Sequence, residues 1–210
     1  MDIANPAGMS TPPLLLLIRH GQTSWNLHRR VLGRTDIPLD ETGRRQATDL
    51  AGVVGPVDAL YASPLSRART TAELAFPGRA MELVGDLTEM HQGELEGLEA
   101  HELGGRYGEL LTAWNADPGA VRLPGGETMR EVQDRALAAL HGIAARSSPG
   151  QRVAVVTHQL VISAVLTALV GEPTSAWRSR THANTAWSEL LWGATPELHA
   201  FRLSPHLPPS

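Results

Sequence analysis

One stretch constrains this chain more than any other: Leu14-Leu15-Leu16-Leu17-Ile18-Arg19-His20-Gly21-Gln22-Thr23-Ser24-Trp25-Asn26. The apolar run Leu14 to Ile18, bounded by Pro13 before and Gly21 after, fits a strand buried on both faces. It ends abruptly in an arginine, a histidine and a glycine. In open α/β sheets, ligands bind just past the carboxyl ends of the strands. Taken alone, the stretch has two readings: a core strand that ends in polar residues, or one wall of a binding crevice.

The rest of the chain supplies the partners such a strand needs. Ala47, Leu50, Ala51 and Val54 lie at i, i+3, i+4 and i+7, which predicts a helix with one apolar face, ended by Gly52 and Gly55-Pro56. Asp58 to Ala62 reads as a short strand. Ser63-Pro64 then reads as a helix start, with Ser63 as cap and Pro64 in the first turn, and with Leu65, Ala68, Ala72 and Ala75 facing inward. Between Met81 and Gly126 the periodicity is weak and glycines interrupt it, so short helices and loops are expected, packed as a cap. Thr128 and Glu131 form a capping box ahead of a long helix whose core face is Met129, Val132, Ala136, Ala139, Leu140 and Ile143. Val153 to Val156 is a second buried-type strand, and it too ends in polar residues, Thr157-His158. A helix from about Leu160 to Val170 follows. Thr185 to Trp192 and Leu198 to Leu203 predict a hairpin.

Alternation of this kind predicts an α/β fold in three layers: a largely parallel sheet flanked by helices, with a small helical and loop cap and a C-terminal β-hairpin. The expected divisions are a loose leader over residues 1–12, one domain over 13–203 with the cap 85–128 inserted, and a frayed tail over 204–210. Met9 offers a second start. Met1 to Pro13 holds Asp2 and no Lys or Arg, unlike a secretory leader, and Leu14 to Ile18 is too short to span a membrane.

Composition removes several function classes. A formal net charge of −4 gives no electrostatic footprint for nucleic acid, and no basic cluster marks a membrane surface. With no cysteine in the 210 residues there is no disulfide framework and no thiolate metal site, which is compatible with a cytoplasmic protein. The nine histidines form no HExxH or similar metal spacing, so no metal is expected.

Two strand ends each present a histidine, His20 and His158, and a third strand-to-helix junction presents Arg67. Read as parallel neighbours, these strands gather the three groups and Arg19 at one crevice. Two arginines with two histidines make an anion site, since guanidinium forks match phosphate oxygens.

Five motifs in order carry a resemblance to a known family. They are Arg19-His20-Gly21 with Thr23 and Asn26; Ser63-Pro64-Leu65-Ser66-Arg67-Ala68; Leu87-Thr88-Glu89-Met90-His91-Gln92-Gly93 with Glu96-Gly97 behind it; Pro124-Gly125-Gly126-Glu127-Thr128; and Thr157-His158. Together they resemble the histidine phosphatase superfamily, the phosphoglycerate mutase-like group, from about Leu14 to Leu203. The resemblance implies that His20 is a nucleophile that becomes phosphohistidine and that Arg19, Arg67 and His158 bind the phosphoryl oxygens. It implies that Glu89 is the acid that protonates the leaving oxygen. Thr23 and Asn26 are expected to add hydrogen bonds to the same group. Gly33, in a loop that closes over the site, and Gln159, where the family commonly has glycine, are further expected substrate contacts. Gln22 stands where glutamate is frequent.

Mutases of the family generally carry a longer insertion between the acid segment and the Gly-Glu-Ser/Thr entry. Here only Leu98 to Gly125 separates them, so the resemblance implies a metal-independent phosphomonoesterase of small metabolites that needs no cofactor. The alternatives are a phosphoglycerate mutase and, outside enzymes, a phosphate-binding regulatory protein. Specificity is expected in the cap and in loop 28–36, with Arg34, His91, Arg106 and Trp114 as candidates and His182 as a further one. The expected partner is a small phosphomonoester, with the hairpin edge available for pairing in a homodimer.

Overall fold

The computed structural model describes residues 11–208. Most of the expected 1–12 leader, both candidate starts and the last two tail residues lie outside that range. The described residues build one six-stranded sheet in the order β3-β2-β4-β1-β5-β6. Strand β1 (Leu14–Arg19) lies at its middle, parallel to β4 (Arg152–Thr157), which is parallel in turn to β2 (Ala59–Ala62). Strand β3 (Met81–Leu83) extends the parallel part at one edge. The hairpin β5 (Trp187–Leu191) and β6 (Glu197–Leu203) joins antiparallel to β1 at the other.

The opening leucines work as their pattern requires. Leu15 and Leu17 point into one core with Val153, Val155, Met129, Leu140 and Ile162. Leu16 and Ile18 point into the opposite core with Leu50, Ala68, Ala72, Ala154 and Val156. Helices α5 (Met129–Ala145) and α6 (Gln159–Leu169) therefore cover one face, and α2 (Glu41–Ala51) and α3 (Ser66–Ala75) the other. Each large apolar side chain so buried contributes about 1.5–3 kcal/mol. The capping box of α5 forms as expected: the Thr128 hydroxyl accepts from the Glu131 amide and Glu131 accepts from the Thr128 amide. No single helix among the described residues is long and apolar enough to cross a membrane.

The structure departs from the sequence-based expectation in three places. Helix α3 starts at Ser66, not at Ser63-Pro64. The Ser63 hydroxyl is engaged by His158, and Asp36, from a distant loop, accepts from the Ser66 amide at 2.8 Å and so caps the helix in its place. Second, the cap contains a 17-residue helix, α4 (Ala100–Ala116), kinked at Tyr107, and the segment ahead of it contributes β3. Third, the tail is docked at His206. Its ring stacks on Trp187 and its Nε2 meets the Thr185 hydroxyl at 2.8 Å.

Candidate active site

The carboxyl ends of β1, β2 and β4 lie side by side, so the residues that follow them meet. The chain leaves β1 through His20 and turns at Gly21. That turn presses against the first turn of α2 so closely that a Cβ on Gly21 would lie 2.5 Å from the Gly43 carbonyl oxygen. Glycine is required there by close approach of two backbones. The Gly21 amide donates to the Thr71 hydroxyl of α3 at 2.9 Å, which ties the turn to the neighbouring helix.

His20 is buried, and its Nδ1 lies 2.7 Å from the Gly21 carbonyl oxygen. A carbonyl oxygen only accepts, so Nδ1 carries the proton and Nε2 holds the lone pair. Burial pushes the imidazole pKa well below its usual value, and the guanidinium groups of Arg67 and Arg19 push it in the same direction. The ring is neutral at pH 7. His158, the residue that opens α6, sits with its ring centroid 5.2 Å from that of His20. Burial, then the charge of Arg67, likewise keep it neutral. Its Nε2 pairs with the Ser63 hydroxyl at 2.7 Å.

Arg67 is fully buried on α3. Two of its amino groups are held by carbonyls of the 28–36 loop, Nη1 by Thr35 at 3.0 Å and Nη2 by Gly33 at 2.7 Å. Arg19 donates from Nη1 to the His182 carbonyl at 2.5 Å, and burial brings its pKa down to about 10, so it remains a cation at neutral pH. Among the described residues seven buried side-chain nitrogens lack a hydrogen-bond partner, and three of them, Arg19 Nε, Arg67 Nε and His158 Nδ1, belong to this cluster. Buried polar groups are normally paired, so an unpaired set clustered in one place marks a ligand site. Two of the three are guanidinium N–H donors, which select an anion.

Glu89 faces this cluster from the segment ahead of α4. It is 4% exposed, and burial raises its carboxyl pKa, opposed by the Met90 amide, the Arg67 charge and the Leu160 amide. Its carboxylate accepts from Met90 at 2.8 Å and Leu160 at 3.3 Å. Arg135 of α5 fixes the segment: it donates to the carbonyls of Asp86, Thr88 and Glu89 and pairs with Glu127, which also accepts from the His91 amide.

Arg19, His20 and Glu89 open into a cavity of about 370 Å³ under the cap. Asn26 and Gln159 line it too, whereas Thr23, Gly33, Arg67 and His158 do not. Thr23 caps α1 (Ser24–Leu27), its hydroxyl accepting from the Asn26 amide. Gly33 serves Arg67 through its carbonyl. The Gln159 amide is spent on structure, accepting from the His182 amide and donating to Ser163, so it walls the cavity and braces the residue whose carbonyl holds Arg19. Of the expected specificity residues only Trp114 lines the cavity. Arg34 pairs with Glu127 and Arg106 with Glu94. His182 is buried behind Arg19, between Ser188 and the Arg180 carbonyl. Among the described residues no group of three or more His, Asp or Glu is arranged to hold a metal ion.

Sequence reasoning missed Ser63 as the partner of His158, Asp36 as the cap of α3, and the Glu127–Arg135 brace. Ser63 was visible as the third polar strand end. The other two depend on contacts across long stretches of chain and left no local signal.

Two neutral histidines and two buried guanidinium groups at the strand ends and first helical turns of a three-layer α/β sheet, faced by a buried carboxyl, make an anion site. Residues 15–199 match the histidine phosphatase superfamily (branch 1), and the chain belongs to that family. It is 36% identical over 159 residues to a metal-independent phosphoserine phosphatase of Arabidopsis thaliana, covering 72% of this chain and 66% of that one. It is 32% identical over 202 residues to 2-carboxy-D-arabinitol-1-phosphatase of Triticum aestivum, covering 91% of this chain. This chain spans only 40% of the length of that wheat protein. The solved structure of Bacillus stearothermophilus YhfR superposes with a TM-score of 0.85 at 30% identity, covering 92% of this chain and 98% of that one.

Proposed function

We propose that the chain is a metal-independent phosphomonoesterase that works through a phosphohistidine on His20, in the cytoplasm. The observation that carries the reading is the pairing of His20 Nδ1 with the Gly21 carbonyl, which leaves Nε2 of a buried neutral ring as a nucleophile in the same cavity as an acid with a raised pKa. Nε2 attacks phosphorus and forms the P–N bond, and the P–O bond to the leaving group breaks. Glu89 gives its proton to the departing oxygen, which leaves as an alcohol. In the second step Glu89 takes a proton from water, the water oxygen bonds to phosphorus, and the P–N bond breaks. This releases inorganic phosphate and restores both groups. Arg19, Arg67 and His158 supply donors and positive charge for the phosphoryl oxygens, the dominant contribution in phosphoryl transfer.

Rapid quench with a labelled ester tests the reading. Wild type traps acid-labile, base-stable phosphate on His20, and His20→Ala loses turnover by about 10⁴-fold or more. Turnover retained by His20→Ala overturns the mechanism. With 3-phosphoglycerate, release of inorganic phosphate supports a hydrolase, and interconversion to 2-phosphoglycerate supports a mutase instead.

A further inference from the structure

The cavity has two unlike ends. Past the phosphoryl floor its wall is built by Leu95, Leu103, Leu111, Trp114, Leu123 and Trp177. These come from the turn before α4, from α4 itself, from the approach to α5, and from the helical turn Thr174–Arg180. Trp114 and Trp177 meet edge to face, 5.7 Å between ring centroids. Among the described residues Glu89 is the only acid in the lining. Beyond the floor its cations are Arg30 and Arg178, and both are engaged. Arg30 donates to the Gly97 carbonyl and pairs with Glu99 at 2.7 Å. Arg178 donates to Asn115 and lies 4.3 Å over the Trp177 ring.

A wall of this composition binds by excluding water from apolar surface. A carboxylate or second phosphate placed against it gives up hydration, and beyond the floor the described lining residues offer one unpaired donor, Trp114 Nε1, and no free cation to compensate. We propose that the preferred substrate is the monophosphate ester of a bulky apolar or aromatic alcohol, with Trp177 and Trp114 as the residues that select its leaving group. This rests on the phosphomonoesterase reading and names its substrate class. The volume of about 370 Å³ lies at the lower end of the range of about 300–1,000 Å³ usual for small-molecule pockets. That room suits a phosphate plus one ring system and is more than a three-carbon acid fills. Burial of the ring is made in ground state and transition state alike, so the preference appears in KM more than in kcat.

The test compares 2-phenylethyl phosphate, phosphoserine and 3-phosphoglycerate. All three are primary alkyl esters, so the chemistry of the leaving oxygen is matched. Wild type is expected to favour 2-phenylethyl phosphate in kcat/KM by about 10-fold or more, the discrimination an apolar pocket gives. Trp177→Ala, at a half-buried position, is expected to erase that margin chiefly through KM. Leu111→Asn, on the partly exposed face of α4, gives a second variant with the same expected direction. An anionic ester equal to or better than 2-phenylethyl phosphate in wild type overturns the inference while leaving the hydrolase intact. So does an equal loss on all three esters in both variants. Absence of phosphate release from every ester overturns the hydrolase reading itself, and this inference with it.

Discussion

The floor and the chamber above it are held by different forces. The floor consists of strand ends and first helical turns. His20, Arg67, Glu89 and His158 are each at most 4% exposed, and nearly every one is fixed by a backbone carbonyl or amide. The chamber wall is apolar side chain, buried at Leu95, Trp114 and Leu123 and half-buried at Leu103, Leu111 and Trp177, and it is fastened at its rim by exposed pairs such as Arg106–Glu94. Exposed pairs of that kind contribute about 0–1 kcal/mol each. A rigid floor does chemistry that every ester requires, and a more adjustable wall chooses among esters.

Substitutions should divide along that line. Glu89→Gln removes the transferable proton while its remaining carbonyl oxygen can still accept from a backbone amide. Its expected effect is a fall in kcat of about 10²–10⁴-fold for every ester tested, with KM little changed. In wild type kcat falls on the acid side as His20 gains a proton, and on the alkaline side as Glu89, whose pKa is raised, loses its own. In Glu89→Gln the alkaline limb disappears. A loss confined to one ester, or seen mainly in KM, would erase the distinction between floor and wall.

How much could be read in advance follows the same division. Arg19, His20 and His158 stand within one position of a strand end and Arg67 is the second residue of α3, so a short apolar run announces where they will be, whereas Glu89 lies six residues past β3. Arg19, His20 and His158 needed no long-range information, and the ordered motifs added Glu89. The wall is assembled from residues 31–32, 95, 103–114, 123 and 177, far apart in sequence, and no segment carries the pattern by itself. Helix α4 was hidden because Gly104, Gly105 and Gly108 interrupt its apolar spacing. Ser63 misled in the opposite sense: its local cap signal was genuine, but its hydroxyl was claimed by a histidine 95 residues away.

The floor also makes stability depend on pH where the wall does not. His20, His158 and His182 are buried with pKa values below the unfolded value of 6.5, His182 at about 4, in each case chiefly through burial. For a depressed pKa the contribution is complete above the unfolded value and is lost as pH falls toward the folded one. Between pH 6.5 and 4 the protein is therefore expected to lose stability, by about 3 kcal/mol by pH 4 from His182 alone. Urea midpoints measured across that range check this. Glu89, whose pKa is raised, contributes with the opposite sign, so a profile that stays flat in Glu89→Gln would mean these rings are not held neutral.

The two regions differ finally in what their glycines are for. Gly21 has no room: its Cβ would sit 2.5 Å from backbone oxygen, which cannot rotate aside, so Gly21→Ala is expected to cost about 1–3 kcal/mol and to lower activity. Gly105, inside α4, has no atom within 4 Å of the Cβ position, and its φ lies outside the left-handed region. Alanine there adds helix propensity and restricts the unfolded chain without a clash. Gly105→Ala is expected to stabilise the protein by about 0.5–1 kcal/mol, read as a higher urea midpoint at unchanged slope. Its kinetic consequence sharpens the contrast further. A stiffer α4 leaves the floor where it is, so kcat for a small ester should hold, while KM for a bulky one should rise if the wall must yield to admit it. Equal KM values for both esters in wild type and variant would mean that the wall is as rigid as the floor.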